Sequence, residues 1–181
     1  MNEELDLLKI VTERLNKADI PYMISGSVAC NYYTVPRMTR DIDIVIELKT
    51  AGIDRFAAIF QDDFYLEKET IRKEVSRGGM FNLIHNRYVI KVDFIIRKES
   101  EFQESAFFRR KKPTIGNKEM WFISAEDLIL AKLLWSRDSH SEMQLKDVRN
   151  LTEAVKNLDI KYMDSWISKL GLEQLYKEAK S

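Results

Sequence analysis

The chain has 181 residues, 45% of them hydrophobic, with 29 basic and 29 acidic side chains and a formal net charge of zero. That length and apolar share suit one compact domain, or one with a small appendage, and zero net charge excludes a global positive field that would hold nucleic acid whatever its sequence. A single cysteine, Cys30, excludes an internal disulfide, and no run approaches the ~20 apolar residues that span a bilayer.

The acidic start Met1-Asn2-Glu3-Glu4 is unlike a secretory signal, so the expected setting is the reducing cytoplasm. Residues 3 to 17 then place Leu7, Leu8, Val11 and Leu15 at helical spacing, which predicts an amphipathic helix ending before Ala18. Tyr22-Met23-Ile24 reads as a short strand that breaks at Gly26-Ser27 and re-enters a helix carrying Ala29, a buried Cys30, Tyr32 and Tyr33. Strand, tight turn and helix start make a candidate phosphate cradle, because a small residue lets a ligand near the backbone and free N–H groups of a helix N-terminus, with Ser27 as a cap, favour an anion. An ordinary strand-to-helix turn has the same pattern.

Asp41-Ile42-Asp43-Ile44-Val45-Ile46 alternates, so Asp41 and Asp43 share one strand face and Ile42, Ile44 and Ile46 the other. Two carboxylates on one face either sit in water at a strand end or hold a hard divalent cation such as magnesium, which prefers oxygen ligands and substrate phosphates. Leu48 to Gly52 is a turn and Ile53 to Phe60 a second helix. Strands are then expected at Phe64-Tyr65-Leu66, Met80 to Ile84 and, after an Asn86-Arg87 hairpin, Tyr88 to Ile96, with Gly78-Gly79 marking a bend or edge. Asp93 interrupts the middle of that last, most apolar run, where a carboxylate is expensive unless paired or bound to metal. Three carboxylates on two neighbouring strands, facing a Gly-Ser turn, would form a two-metal phosphoryl-transfer site.

Further on, Arg109-Arg110-Lys111-Lys112 is the one dense basic run, either a solvated loop or a docking surface for RNA or a triphosphate. Met120 to Ile123 reads as a last strand. Ser124 with Asp127 opens a helix through Leu128, Ile129, Leu133 and Leu134 that also carries Lys132, Trp135 and Arg137. After a polar loop, Asp138 to Met143, a helix spans Gln144 to Leu158. Its Asp147 either orients Lys132 or Arg137 or complements the helix dipole. Two short helices follow, Tyr162 to Leu170 and Leu172 to Ala179, with Gly171 as C-cap. Tyr32, Tyr33 and Trp135 either stack on a base or belong to the core. His85 and His140 lack partners at zinc-ligand spacing, and no serine has a Gly-x-Ser-x-Gly context.

Gly26-Ser27, thirteen intervening residues, Asp41-Ile42-Asp43 and the later Asp93 resemble the signature of the DNA polymerase β-like nucleotidyltransferases. The lead-in Arg37 to Asp41 and the stretch Ser124 to Lys132 are similar to the bacterial branch containing the AbiEii and MenT toxins. The resemblance covers roughly residues 20 to 150. It implies an α+β fold of the polymerase β palm type, a mixed or antiparallel sheet flanked by helices, with residues 1–123 as the core and 124–181 as a helical part packed on it. It also implies transfer of a nucleoside monophosphate from an NTP to an acceptor hydroxyl with release of pyrophosphate. In that reading Asp41, Asp43 and Asp93 bind magnesium or manganese, with Asp93 as base, Gly26 and Ser27 hold the β- and γ-phosphates, and Arg40 and Lys132 neutralise the leaving pyrophosphate. The acceptor implied by the toxin branch is a tRNA 3′ end docked on Arg109 to Lys112, with an antitoxin as partner; a protein or a small molecule such as an aminoglycoside stays open. The alternative is a catalytically inactive nucleotide-binding or toxin–antitoxin interaction module of the same fold.

Overall fold

In the computed structural model, which describes residues 2–39 and 41–180, the amphipathic start forms α1 (Asn2–Lys17) with Leu7, Leu8, Val11 and Leu15 buried along one stripe. There follow β1 (Tyr22–Ile24), α2 (Gly26–Tyr33), β2 (Asp41–Ile46), a 3-10 turn at Thr50–Gly52 and α3 (Ile53–Ala58). Then come β3 (Phe64–Tyr65), α4 (Lys68–Arg77), β4 (Met80–His85), β5 (Lys91–Ile96) and α5 (Glu101–Phe108). A small hairpin of β6 (Thr114–Ile115) and β7 (Lys118–Glu119) precedes α6 (Ala125–Ser139), α7 (Glu142–Ala154), α8 (Ile160–Leu170) and α9 (Glu173–Lys180). Among the described residues no helix is long and apolar enough to cross a membrane.

The main sheet has the order β1-β2-β5-β4-β3, parallel between β2 and β5 and antiparallel elsewhere. This is the expected α+β arrangement with a mixed sheet. Alternation on β2 and β5 sends Ile42, Ile44, Ile46, Val92, Phe94 and Ile96 to one face, all of them buried. Phe56 of α3 meets Phe94 edge-on at 5.1 Å between ring centres, and Phe81 stacks on Phe94 at 5.5 Å. Each such buried side chain contributes about 1.5–3 kcal/mol, which fixes the strand register and with it the opposite, polar face.

The structure departs from the sequence reading in several places. Residues 68–77, between two expected strands, form α4, whose Ile71 and Val75 lie one turn apart and whose end is capped by Gly78 at φ +64°. Gly78 is therefore a helix C-cap, not a sheet edge. The stretch after β5 contains α5, opened by Ser100, whose hydroxyl accepts the Gln103 N–H. Met120–Ile123 is no regular strand: Phe122 forms single bridges to Ile24 and Lys111. Helix α6 runs on to Ser139, α7 spans 142–154 where 144–158 is expected, and β5 begins at Lys91, since Val89 at φ +54° belongs to the turn.

Candidate active site

The parallel pairing of β2 and β5 aligns Asp41 with Lys91 and Asp43 with Asp93, so that all four share the face opposite the apolar core. Asp93 is only 5% exposed, and its buried Oδ1 has no hydrogen-bond partner among the described residues. Its Oδ2 lies 2.8 Å from the Lys91 ammonium, which also reaches Asp41 Oδ1 at 3.5 Å. Burial, then the neighbouring Asp93, pushes the Asp43 carboxyl up; the Ser27 backbone N–H and Lys132 counteract part of this.

The turn before α2 closes onto these acids. The Ser25 N–H donates to the Asp43 carbonyl (2.9 Å), which ends β1 beside the acid pair. Gly26 follows at φ +59°, and a Cβ on it would lie 1.9 Å from Asp43 Oδ2. Glycine is thus required twice, for the left-handed backbone and for the space that the carboxylate fills. A Gly26→Ala variant should lose at least about 1–2 kcal/mol from the backbone conformation alone, with the clash added, read as a lowered urea midpoint. The helix N-cap is Ser25, not Ser27, and it makes no side-chain cap hydrogen bond. The Ser27 hydroxyl instead accepts a hydrogen bond from Arg37 Nη2 (3.0 Å).

Arg37 leads to the second pole of the site. Its fork also reaches Asp147, Nη2 to Oδ2 at 3.0 Å and Nε to Oδ1 at 3.3 Å, while Lys132 Nζ donates to the same Oδ2 at 2.8 Å and to Gln144 Oε1 at 3.0 Å. Lys132 is 4% and Asp147 1% exposed, so Lys132 is a buried ion-pair member and no surface lysine. Burial alone would raise Asp147; hydrogen bonds from Arg37 and Lys132 outweigh it and hold the carboxyl below the usual range. Two cations on one carboxylate leave an excess positive charge beside an α2 N-terminus that has no acid in its first turn. The loop bearing Arg37 is held by Asn31, which accepts the Arg37 N–H (3.0 Å) and donates to its carbonyl (2.7 Å).

The expected site residues Gly26, Ser27, Asp41, Asp43, Asp93 and Lys132 thus converge near one edge, and Arg40 lies outside the described residues. Asp147 partners Lys132 but not Arg137, which bonds Asp138 and the Leu170 carbonyl. Sequence reasoning missed Lys91 and Arg37. Lys91 was legible in principle, two residues before Asp93 and hence on the same strand face. Among the described residues no three His, Cys, Asp or Glu side chains stand close enough together to clasp an ion as they are. The donor set is nonetheless all oxygen, with one buried oxygen unpartnered, which fits a hard divalent cation.

The two arginines of the basic run are engaged within the fold, while Lys111 and Lys112 are exposed. Arg109 packs 3.8 Å from the Tyr162 ring centre and pairs with Glu126 and Asp127, Arg110 lies over Phe107 and Trp121, and Lys112 pairs with Glu119. Tyr33 donates its hydroxyl to the Ile123 carbonyl (2.7 Å) and Tyr32 leans on Phe122, whereas Trp135 is half exposed. A basin of about 950 Å³ opens at the other end of the strands, past Ile46 and Ile96, and contains none of these residues.

No family model and no curated protein matches the sequence. Solved structures do. The solution structure of the antibiotic-resistance factor ANT(2'')-Ia superimposes with a TM-score of 0.66 at 12% identity, over 98% of this chain and 96% of that one. The fold is that of the nucleotidyltransferases. The lincomycin-bound lincosamide antibiotic adenylyltransferase LnuA has this fold too, at TM-score 0.55 and 14% identity over 82% of this chain and 96% of that one. A nucleotidyltransferase-like structure from Thermotoga maritima, TM1012, matches at TM-score 0.54 and 18% identity over 78% of this chain and 90% of that one. At these identities the likeness is one of fold, and it agrees with the polymerase β-like resemblance of the sequence.

Proposed function

We propose that the protein is a divalent-metal-dependent nucleotidyltransferase that moves a nucleoside monophosphate from an NTP to an acceptor hydroxyl. The observation that carries this is the pairing of Asp43 with Asp93 across the parallel strands β2 and β5, against a Gly26 turn that admits no side chain. Asp41, Asp43 and Asp93 would hold magnesium or manganese, which supplies, when bound, charge neutralisation at the phosphates and acidification of the attacking hydroxyl. Gly26 and the α2 N-terminus receive phosphate oxygens, and Lys132 and Arg37, anchored on Asp147, oppose the charge that develops on the departing pyrophosphate. The acceptor oxygen bonds to the α-phosphorus, the bond from that phosphorus to the β-bridging oxygen breaks, and the hydroxyl proton passes to the Asp93 carboxylate.

For the acceptor we favour a small hydroxylated molecule over a tRNA 3′ end. Of the arginines meant to dock RNA, Arg109 is stacked on Tyr162 and paired with acids and Arg110 lies over Phe107 and Trp121, and net charge is zero. LnuA, of the same fold, is named as an adenylyltransferase of an antibiotic. The AbiEii/MenT reading, with tRNA as acceptor and an antitoxin partner, remains the contrasting one, carried by the Ser124 to Lys132 stretch.

The test incubates purified protein with each α-labelled NTP and magnesium or manganese, with either a panel of aminoglycosides and lincosamides or total bacterial RNA. Label on a small acceptor, with pyrophosphate released and neither seen for Asp41→Ala/Asp43→Ala, is the expected result. Label in RNA would replace this acceptor class by the toxin reading. Metal-dependent NTP binding without pyrophosphate release from any acceptor would favour the inactive module, a reading that the ammonium of Lys91 between two acids also favours.

A further inference from the structure

Lys91 opens β5 in register with Asp41, and the two-residue period puts its side chain on the acid face with Asp93. Its stem carries the ammonium to the place where Asp93 Oδ2 (2.8 Å) and Asp41 Oδ1 (3.5 Å) converge. Among the described residues Lys91 forms no ion pair with Asp43 and Asp93 Oδ1 has no hydrogen-bond partner, so the ammonium satisfies only part of the cluster. The Lys91 ammonium thus sits against two of the three carboxylates. Lys91 is part exposed at a strand end, so its side chain has room to swing out.

We propose that Lys91 is a tethered cation that occupies the acid cluster in the metal-free protein and must leave before a divalent cation binds, so that it sets the metal affinity of the site. This rests on the assignment of Asp41, Asp43 and Asp93 as metal ligands. Like charges cannot share that space: an ion seated between Asp41 and Asp93 would lie within a few ångströms of the ammonium. The ammonium also relieves the repulsion between carboxylates while no ion is present. The consequence is a site with low affinity for free metal, loaded best when phosphate oxygens add ligands that the protein lacks.

The experiment measures Mn²⁺ binding, by loss of the free aquo-ion electron paramagnetic resonance signal, to the full chain without nucleotide. Lys91→Met keeps the stem and removes the charge, and should bind Mn²⁺ about ten-fold or more tightly than wild type, the scale expected when one like charge is removed from within ~4 Å of an ion. Lys91→Arg, which keeps the charge, should bind no more tightly than wild type; this separates charge from packing. Asp43→Asn should abolish binding in both backgrounds. If Lys91→Met binds like wild type or more weakly while Asp43→Asn still abolishes wild-type binding, the tethered-cation role is overturned and the metal-site assignment stands. If neither wild type nor Lys91→Met binds Mn²⁺, or Asp43→Asn leaves it unchanged, both are overturned.

Discussion

Asp43→Asn should abolish nucleotidyl transfer, by about 10³-fold or more, and at the same time raise the melting temperature of the metal-free protein. The first effect follows from removing a charge that is asked to help hold a cation worth several kcal/mol of transition-state stabilisation. The second follows from the environment of the carboxylate. Burial and the facing Asp93 push Asp43 above its ordinary value, so the native state holds the proton more tightly than the unfolded chain does. Between the unfolded and native values the native state binds more protons, and stability falls as pH rises through that interval. An isosteric amide, which still accepts from the Ser27 N–H and still fits beside Gly26, removes the cost of the buried charge. Melting temperatures should diverge above that interval and converge in acid, at about 2–4 °C per kcal/mol for a chain of this size. Normal turnover by Asp43→Asn would sink the mechanism; a lower melting temperature at neutral pH would mean that Asp43 is charged and satisfied in the metal-free fold.

The same residues show what a sequence can disclose. Asp41, Asp43 and Asp93 are legible because strand alternation is local and an acid in an apolar strand has few inexpensive explanations. That Asp43 and Asp93 stand side by side is not local: it depends on β5 returning parallel to β2 after α3, β3, α4 and β4. Helix α4 escaped because its apolar positions reduce to Ile71 and Val75, with a buried Glu74 between them that binds Arg77 and the Met80 N–H. Lys132 stood out as a cation on an apolar helix, but its partner Asp147 sits on the next helix, which the sequence starts at Gln144, so that a helix-dipole role looks adequate. In the structure α7 starts at Glu142 and Asp147 lies in its second turn. Arg37 gave no signal beyond its place in the lead-in to Asp41: it lies in a loop with an exposed valine and methionine, and only the return of that loop to Asn31 aims its guanidinium at Ser27 and Asp147. The basic run misled for the opposite reason. Four consecutive charges read as surface, whereas Arg109 and Arg110 lie along aromatic rings that the chain supplies from α5, α8 and Trp121.

Asp147→Asn should cost about 3–5 kcal/mol, the usual result of removing one partner of a buried ion pair, and lower the melting temperature by roughly 10 °C. Lys132 would stay buried, at 4% exposure, with only the Gln144 and asparagine amide oxygens as acceptors, and the Arg37 fork would lose its bidentate acceptor. Lys132→Met alone should cost less, because Asp147 keeps Arg37. The double variant Asp147→Asn/Lys132→Met should recover much of the stability lost by Asp147→Asn, since no uncompensated buried ammonium remains, yet regain no transferase activity. That split distinguishes a pair retained to anchor cations at the phosphate side from one that only holds α6 to α7. The acid limb gives an independent check. A carboxylate held below its ordinary value contributes stability that is fully present above its unfolded value, about 3.9, and is lost as pH falls through the lower native one. The steep loss of wild-type stability below about pH 4 should therefore be shallower in Asp147→Asn. Equal acid limbs, or a double variant no more stable than Asp147→Asn, would mean that the cost lies in the helix packing and not in the charge left behind.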